Sequence, residues 1–417
     1  MFRDLLHQSS FLVIAPQMNF HLLANRQMSG QSELPKVHQF PVSMPPPPIA
    51  DSTEPLSRST TIERWLPWAL AAGALFTLFY QLGGPGLFEP DEGRNAEKAR
   101  EILLLNDWVT PHNNFYPVLD KPIFLYWLIA LSYQLFGVSE WAARLPSALA
   151  ALASLAIVYD FTRRHWGQRE ALWSVTILLS SAEFFIFARV VIFDALLTLC
   201  VTLALAMFFA AIHATESRWR FICCVILYAA LGVGTLLKGL VGLVLPGMVF
   251  FFYLLATRRW AALKKIHLIP GILLYLAIVL PWYLQAETHN SGFLRYYLWD
   301  EHFGRYATAK FERGQPWYYF IFVLAVGFLP WTTVIPAIVK AAWQKSLDDK
   351  TLFLFLWTGL PLLFFSISSA KLPQYILPIF PALAILLAAT LTALLGQAEQ
   401  RARRWLAITW CIQGSCV

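Results

Sequence analysis

From Trp65 onward the chain alternates long apolar runs with short polar interruptions. The runs fall at 65–83, 142–161, 170–188, 194–213, 220–236, 239–256, 268–286, 317–339, 351–368 and 374–396, and a further one opens near Trp405. Each is close to the length that a hydrocarbon slab of roughly 30 Å selects in a helix. Segments such as "LYAALGVGTLL" and "LLYLAIVLPWYL" are apolar all the way round and lack the two-residue alternation of an outer-membrane barrel strand. The pattern predicts an all-α polytopic membrane protein with about ten or more transmembrane helices.

Two interruptions are long, 84–141 and 287–316, and the first contains an apolar piece that is hard to place. That piece, Pro122 to Gly137, is short and bounded by Pro and Gly, so it reads either as a span or as a helix lying at the interface. Loop charge decides. If it does not cross, "TRRHWGQR", "ESRWR", "TRRWAALKK", "KAAWQKSLDDK" and "QRARR" all share one face with the N-terminus, as cytoplasmic basic loops do. The expectation is therefore a juxtamembrane helix inside a first outer loop, a cytoplasmic N-terminus and a plasma (inner) membrane location. With that parity Asp194, the "LLKG" turn with Lys238, the loop 287–316 and the "SSAKLPQY" turn lie together on the outer face.

Composition sharpens this picture. Only 14% of the 417 residues are charged and the mean hydropathy is +0.54. The net charge of +7 is scattered over small loops instead of forming a stripe, which argues for topology and against nucleic acid. Residues 1–63 are rich in Pro, Ser and Thr and are expected to be a disordered cytoplasmic tail, with Met44 a second candidate start. "FLVIAP" is too short, and lacks the flanks, for a cleaved signal peptide. Residues 64–417 are expected to form one transmembrane domain. Its last run is unfinished at Val417, so a truncated C-terminal end is expected. The five cysteines, Cys200, Cys223, Cys224, Cys411 and Cys416, lie in or beside apolar stretches and make neither a disulfide framework nor a zinc pattern.

Candidate chemistry gathers in "LFEPDEGRNAEKAR", which sets Asp91, Glu92 and Arg94 at the mouth of the first apolar run. An ionisable group near the membrane is costly unless paired or hydrated, and such groups mark sites. Asp91 and Asp194, far apart in sequence, suit proton transfer from an acceptor hydroxyl. Lys121, Lys238, Arg305 and Lys371 are cations able to neutralise a phosphate. Asp91 reads equally as an N-cap of the helix that follows, and cations at the interface often only snorkel, as Arg295 and Lys310 are read here. Lys238, isolated between two spans, is harder to dismiss. Tyr375 offers a phenol to phosphate or sugar, or serves an aromatic belt.

"FEPDEGRNAEKAREIL", "DWVTPHNNFYPVLDKPIFLYWL", "LFGVSEWAARLPSAL", "FARVVIFDALLT", "LLKGLVG", "EHFGRY" and "SSAKLPQYILPIFPALAILLA" follow one another as in the polyprenyl-phosphate-sugar-dependent glycosyltransferases. The chain resembles the superfamily of the aminoarabinose transferases and protein O-mannosyltransferases (glycosyltransferase family 39-like) from about residue 65 to 396. The resemblance implies a glycosyltransferase C fold whose first outer loop covers a cavity for a lipid-linked donor. It implies Asp91 as the catalytic carboxylate with Asp194 its partner, and Glu92, Arg94, Lys121, Lys238, Arg305, Lys371 and Tyr375 around the substrate. It also implies a divalent metal near the lipid phosphate, held at positions matching Asp120 and His302, with Asp120 standing where the family carries Glu. The expected reaction moves a sugar, with inversion, from a polyprenyl-phosphate donor to a lipid (lipid A-like) or protein acceptor on the outer face. Two other classes remain open on the residues alone. One is a lipid-linked-sugar flippase or transporter, though no internal repeat is visible and the charges gather at one face. The other is a glycan polymerase or ligase.

Overall fold

A computed structural model describes residues 61–299, 315–344 and 348–396. The first helix, α1 (Thr61–Phe79), delivers the chain to a Gly- and Pro-rich loop and then to α2 (Asp91–Leu105), which stops at Asn106 in the left-handed conformation. The inward face of α2 carries Glu92, Asn95, Ala96, Ala99 and Ile102 at helical spacing. A small antiparallel hairpin, β1 (His112–Asn113) and β2 (Tyr116–Pro117), turns on Asn114 and Phe115, both at positive φ. Then comes α3 (Phe124–Phe136), the piece of uncertain role. Its 13 residues reach about 20 Å, too little for a bilayer core.

The long helices follow. α4 (Glu140–His165) starts on Ser139, whose hydroxyl accepts from the Ala142 amide, and its last turn carries Arg163 and Arg164, cations at the negative end of the helix dipole. α5 (Gln168–Ser180) and α6 (Ala182–Phe187) occupy the run expected to be a single span at 170–188. Ser181 adopts extended angles between them, and the Ala182 amide bonds to the Leu329 carbonyl 3.1 Å away instead of continuing the helix. α7 (Phe193–His213), α8 (Ser217–Lys238), α9 (Val241–Thr257) and α10 (Leu268–His289) succeed one another through short turns. The run at 317–339 is not straight either. α11 (Tyr319–Gly327) turns by 112° into Trp331–Lys340, most of it in α12 (Ile335–Gln344), at Pro330, which cannot donate to a helix and disfavours it at the residue before. α13 (Asp349–Ile367) and α14 (Pro373–Gly396) complete the described chain.

Six of these, α4, α7, α8, α10, α13 and α14, are long and apolar enough to cross a membrane, and the bent pair makes a seventh if counted as one span. The other expected runs are the shorter or broken helices α1, α5 with α6, and α9, while the run opening near Trp405 lies outside the described residues.

Two apolar clusters hold the helices together. The larger surrounds α7, where Leu197, Val201, Leu205 and Phe208 are buried among residues of α4, α8, α9, α13 and α14. Close approach matters there. A Cβ on Gly242 would stand 2.2 Å from the Gly234 carbonyl carbon, so α8 and α9 touch backbone to backbone. The smaller cluster joins α2 and α3, through Ala99, Ile102, Ile123, Tyr126 and Ile129, to Phe193 and to Trp282 and Tyr283 of α10. Indole N–H groups of Trp127 and Trp282 donate to the carbonyls of Trp108 (2.8 Å) and Val109 (3.0 Å) and fasten the intervening loop. The segment 84–141 is thus a packed cap over the ends of α4, α7 and α10. Cys223 and Cys224 are free thiols in the larger cluster and Cys200 a free thiol in the smaller one, as their apolar settings suggested.

Candidate active site

The Asp91 end of α2 is held by an arginine from another helix. Arg144, 2% exposed, donates from Nε and Nη2 to the two Glu92 carboxylate oxygens (2.9 and 2.7 Å) and from Nη1 and Nη2 to the carbonyls of Leu82, Pro85 and Gly86 (2.8 to 2.9 Å). All five guanidinium donors are used, in fork geometry. Glu92 also accepts from the amides of Phe88 (2.9 Å) and Val191 (2.7 Å), and the Asn95 amide group donates to the Val191 carbonyl at 2.9 Å. One helix face therefore brackets residue 191, three positions ahead of Asp194. Glu92 was expected at the substrate. Its carboxylate, 1% exposed and accepting four hydrogen bonds, instead ties the fold together.

Asp91 differs in every respect. It is the first residue of α2, exposed, and makes no hydrogen bond among the described residues. The cap position belongs to Pro90, with no side-chain capping bond, so the capping role open to Asp91 is not seen. A rigid knot behind it and a free carboxylate in front is the arrangement a base requires.

Asp194, 4% exposed, lies on the first turn of α7 and is paired with the Lys238 ammonium at the last turn of α8. Gly239, at φ +69°, ends that helix and lets the chain reverse immediately after the lysine. The same ammonium stands 4.4 Å from the centroid of the Tyr375 ring, which the first turns of α14 supply. Lys121 and Asp91 both act electrostatically on Asp194, so residues from α2, the loop before α3, α7, α8 and α14 meet in one region.

A second ion pair lies beside the first. Lys98 of α2, fully buried, donates to Asp120 at 2.6 Å and to the Tyr126 hydroxyl at 3.3 Å. Burial raises the Asp120 carboxyl, but Lys98, Lys121 and Arg94 outweigh it and hold it below its ordinary value. Burial also lowers the Lys98 ammonium, by more than Asp120 restores. Arg94 is exposed on the same helix, and Lys121 bonds to the Asp120 carbonyl at 3.0 Å. Lys371, 5% exposed, donates to the carbonyls of Gln315 (2.8 Å) and Ser368 (2.6 Å), so it closes the loop before α14 as well as carrying charge.

His302 and Arg305 lie outside the described residues. Among those described, no three His, Cys, Asp or Glu side chains lie close enough to share a metal ion, and Asp120 has Oδ1 bonded to an ammonium.

Three residues were missed in the sequence. Arg144 sits in "WAARLPSAL", a lone arginine inside an apolar run, and the cost of burying such a charge is a signal that marks it. Lys98 lies on the buried stripe of α2, hidden by a charge-rich stretch that looked solvated. Glu183 of α6, 4% exposed, has neither carboxyl oxygen hydrogen-bonded among the described residues and packs against the backbone of Gly327. Nothing in its sequence neighbourhood announced it.

Comparison with known proteins accords with this arrangement. The family model described as dolichyl-phosphate-mannose-protein mannosyltransferase matches residues 120–284. The chain is 34% identical over 370 residues to an undecaprenyl phosphate-alpha-4-amino-4-deoxy-L-arabinose arabinosyl transferase of Pseudomonas fluorescens, over 86% of this chain and 63% of that one. The chain is thus similar to the polyprenyl-phosphate-sugar glycosyltransferases over most of its own length. Its fold is similar to that of ArnT from Cupriavidus metallidurans bound to undecaprenyl phosphate, with TM-score 0.74 and 34% identity over 78% of this chain and 60% of that one. The oligosaccharyltransferase AglB of Archaeoglobus fulgidus shares the fold alone, with TM-score 0.54 and 12% identity over 83% of this chain and 52% of that one. The chain spans about three-fifths of the length of the curated relatives it matches.

Proposed function

We propose that the protein is an integral membrane glycosyltransferase that moves a sugar from a polyprenyl-phosphate donor to a lipid (lipid A-like) or protein acceptor. The observation that carries this reading is the Asp194, Lys238 and Tyr375 cluster, with the unbonded Asp91 carboxylate, on a helix fixed by Arg144 and Glu92, near enough to act electrostatically on Asp194. The acceptor hydroxyl attacks the anomeric carbon from the face opposite the phosphate and gives its proton to Asp91. The bond from the anomeric carbon to the phosphate oxygen breaks, and the phosphate leaves with the electron pair. Lys238, oriented by Asp194, together with Lys121 and Arg94, neutralises the charge that develops there. One displacement inverts the anomeric centre. In the full topology about ten runs cross, as the apolar pattern predicts. The N-terminus is then cytoplasmic and Asp91 faces the periplasm or exterior.

Purified protein given an undecaprenyl-phosphate-linked aminosugar, with lipid A and with an acceptor peptide in separate reactions, tests the reading by product mass. A single added sugar on one acceptor supports it. Donor carried across liposomes with no covalent product, or transfer of a whole glycan chain, contradicts it.

A further inference from the structure

At the far end of α4 and α7 from Asp194 the two helices part into a groove of about 400 Å³. Its walls are apolar, with Ala156 and Ile157 on one side and Ala206, Met207 and Ala210 on the other, and Trp219 at the start of α8 closes one edge. Both walls are on helices able to span a membrane, so the groove runs inward from the helix ends for about 14 Å, the depth of the headgroup and upper acyl region. Something apolar must fill it there.

Charge at its mouth selects what that is. His213 is already bonded on both ring nitrogens, to the Phe209 carbonyl at 2.9 Å and to Asp349 at 3.0 Å, and Asp349 is further held by Arg259 and Tyr253. Asp160 and Arg164 are differently placed. They form one mutual bond of 2.8 Å, are more than half exposed, and the Arg164 terminal amino groups make no other hydrogen bond among the described residues. The guanidinium is steadied 5.8 Å from the Trp219 ring centroid. An exposed pair of this kind is weakly held and opens readily for a ligand that offers each member a new partner.

We propose that this groove binds a zwitterionic glycerophospholipid, its acyl chain between α4 and α7, its phosphate on Arg164 and its ammonium on Asp160. Detergent-purified protein is titrated with phosphatidylethanolamine and with phosphatidylglycerol of matched chains, and bound lipid is counted by native mass spectrometry. One phosphatidylethanolamine is expected to be retained in preference to phosphatidylglycerol. Ala156→Trp, which fills the groove from an exposed position, is expected to weaken it about tenfold, and Asp160→Asn, at the surface, to abolish the preference between headgroups. Equal retention of both lipids by the unaltered protein, no phospholipid retained at all, or an Ala156→Trp variant that binds as before would each overturn the proposal.

Discussion

A buried guanidinium that uses all five donors is a commitment the surrounding chain cannot renegotiate. Replacing Arg144 by Leu leaves Glu92 as an unpaired buried carboxylate and frees three loop carbonyls, so a loss of about 3–5 kcal/mol is expected in thermal or denaturant unfolding in detergent. Glu92→Gln should cost less, because the amide keeps one acceptor. The double variant should fall short of the sum of the two, since the residues share one network. Asp120 makes a separate prediction about pH. Its carboxyl is depressed in the fold, so its contribution is complete above the ordinary carboxyl value of 3.8 and is lost as pH falls through the lower folded value. The stability gap between the parent protein and Asp120→Asn should therefore be constant at neutral pH and close below about pH 4. At this scale Asp194 and Lys238 were legible, because a charge inside an apolar run is conspicuous. Lys98 was not, because the same stretch that carries it also carries exposed charges, and only folding decides which of them turn inward.

Helices supply the geometry that brings distant residues together, and two glycines show how. Gly242 lets α8 and α9 meet, so Gly242→Val forces the helix pair apart, with an expected cost of about 1–3 kcal/mol and a displaced Lys238. Gly239→Ala meets a different obstacle, a positive φ, and is expected to cost about 1–2 kcal/mol with the helices still in contact. Melting curves together with an α8-to-α9 cysteine cross-link separate the two effects. Most elements could be read from apolar periodicity, including the short α3, which the charge of the loops kept from being counted as a span. The break at Ser181 could not, whereas Pro330 carries its own breaker signal inside the run 317–339. Serine is tolerated inside helices, and the Leu329 carbonyl that takes the Ala182 amide is remote in sequence. Such breaks depend on a neighbour the local pattern does not contain.

For the molecule as a whole, the proposed function requires the basic loops and the catalytic candidates to lie on opposite sides of the bilayer. Reporter tags or impermeant labels in the loop 257–266 and the loop 287–316 are expected to report opposite faces, and a label at the exposed position 91 the same face as the loop 287–316. The central claim is that Asp91 is the base in a pocket shared with Asp194 and Lys238. The most direct measurement is single-turnover sugar transfer by Asp91→Asn, with donor binding and thermal stability followed in the same preparation. A rate lower by about a hundredfold to ten-thousandfold, with donor still bound and the fold unchanged, is the expected result. Transfer within about twofold of the unaltered protein in that preparation would contradict it, since removing a general base costs far more than that.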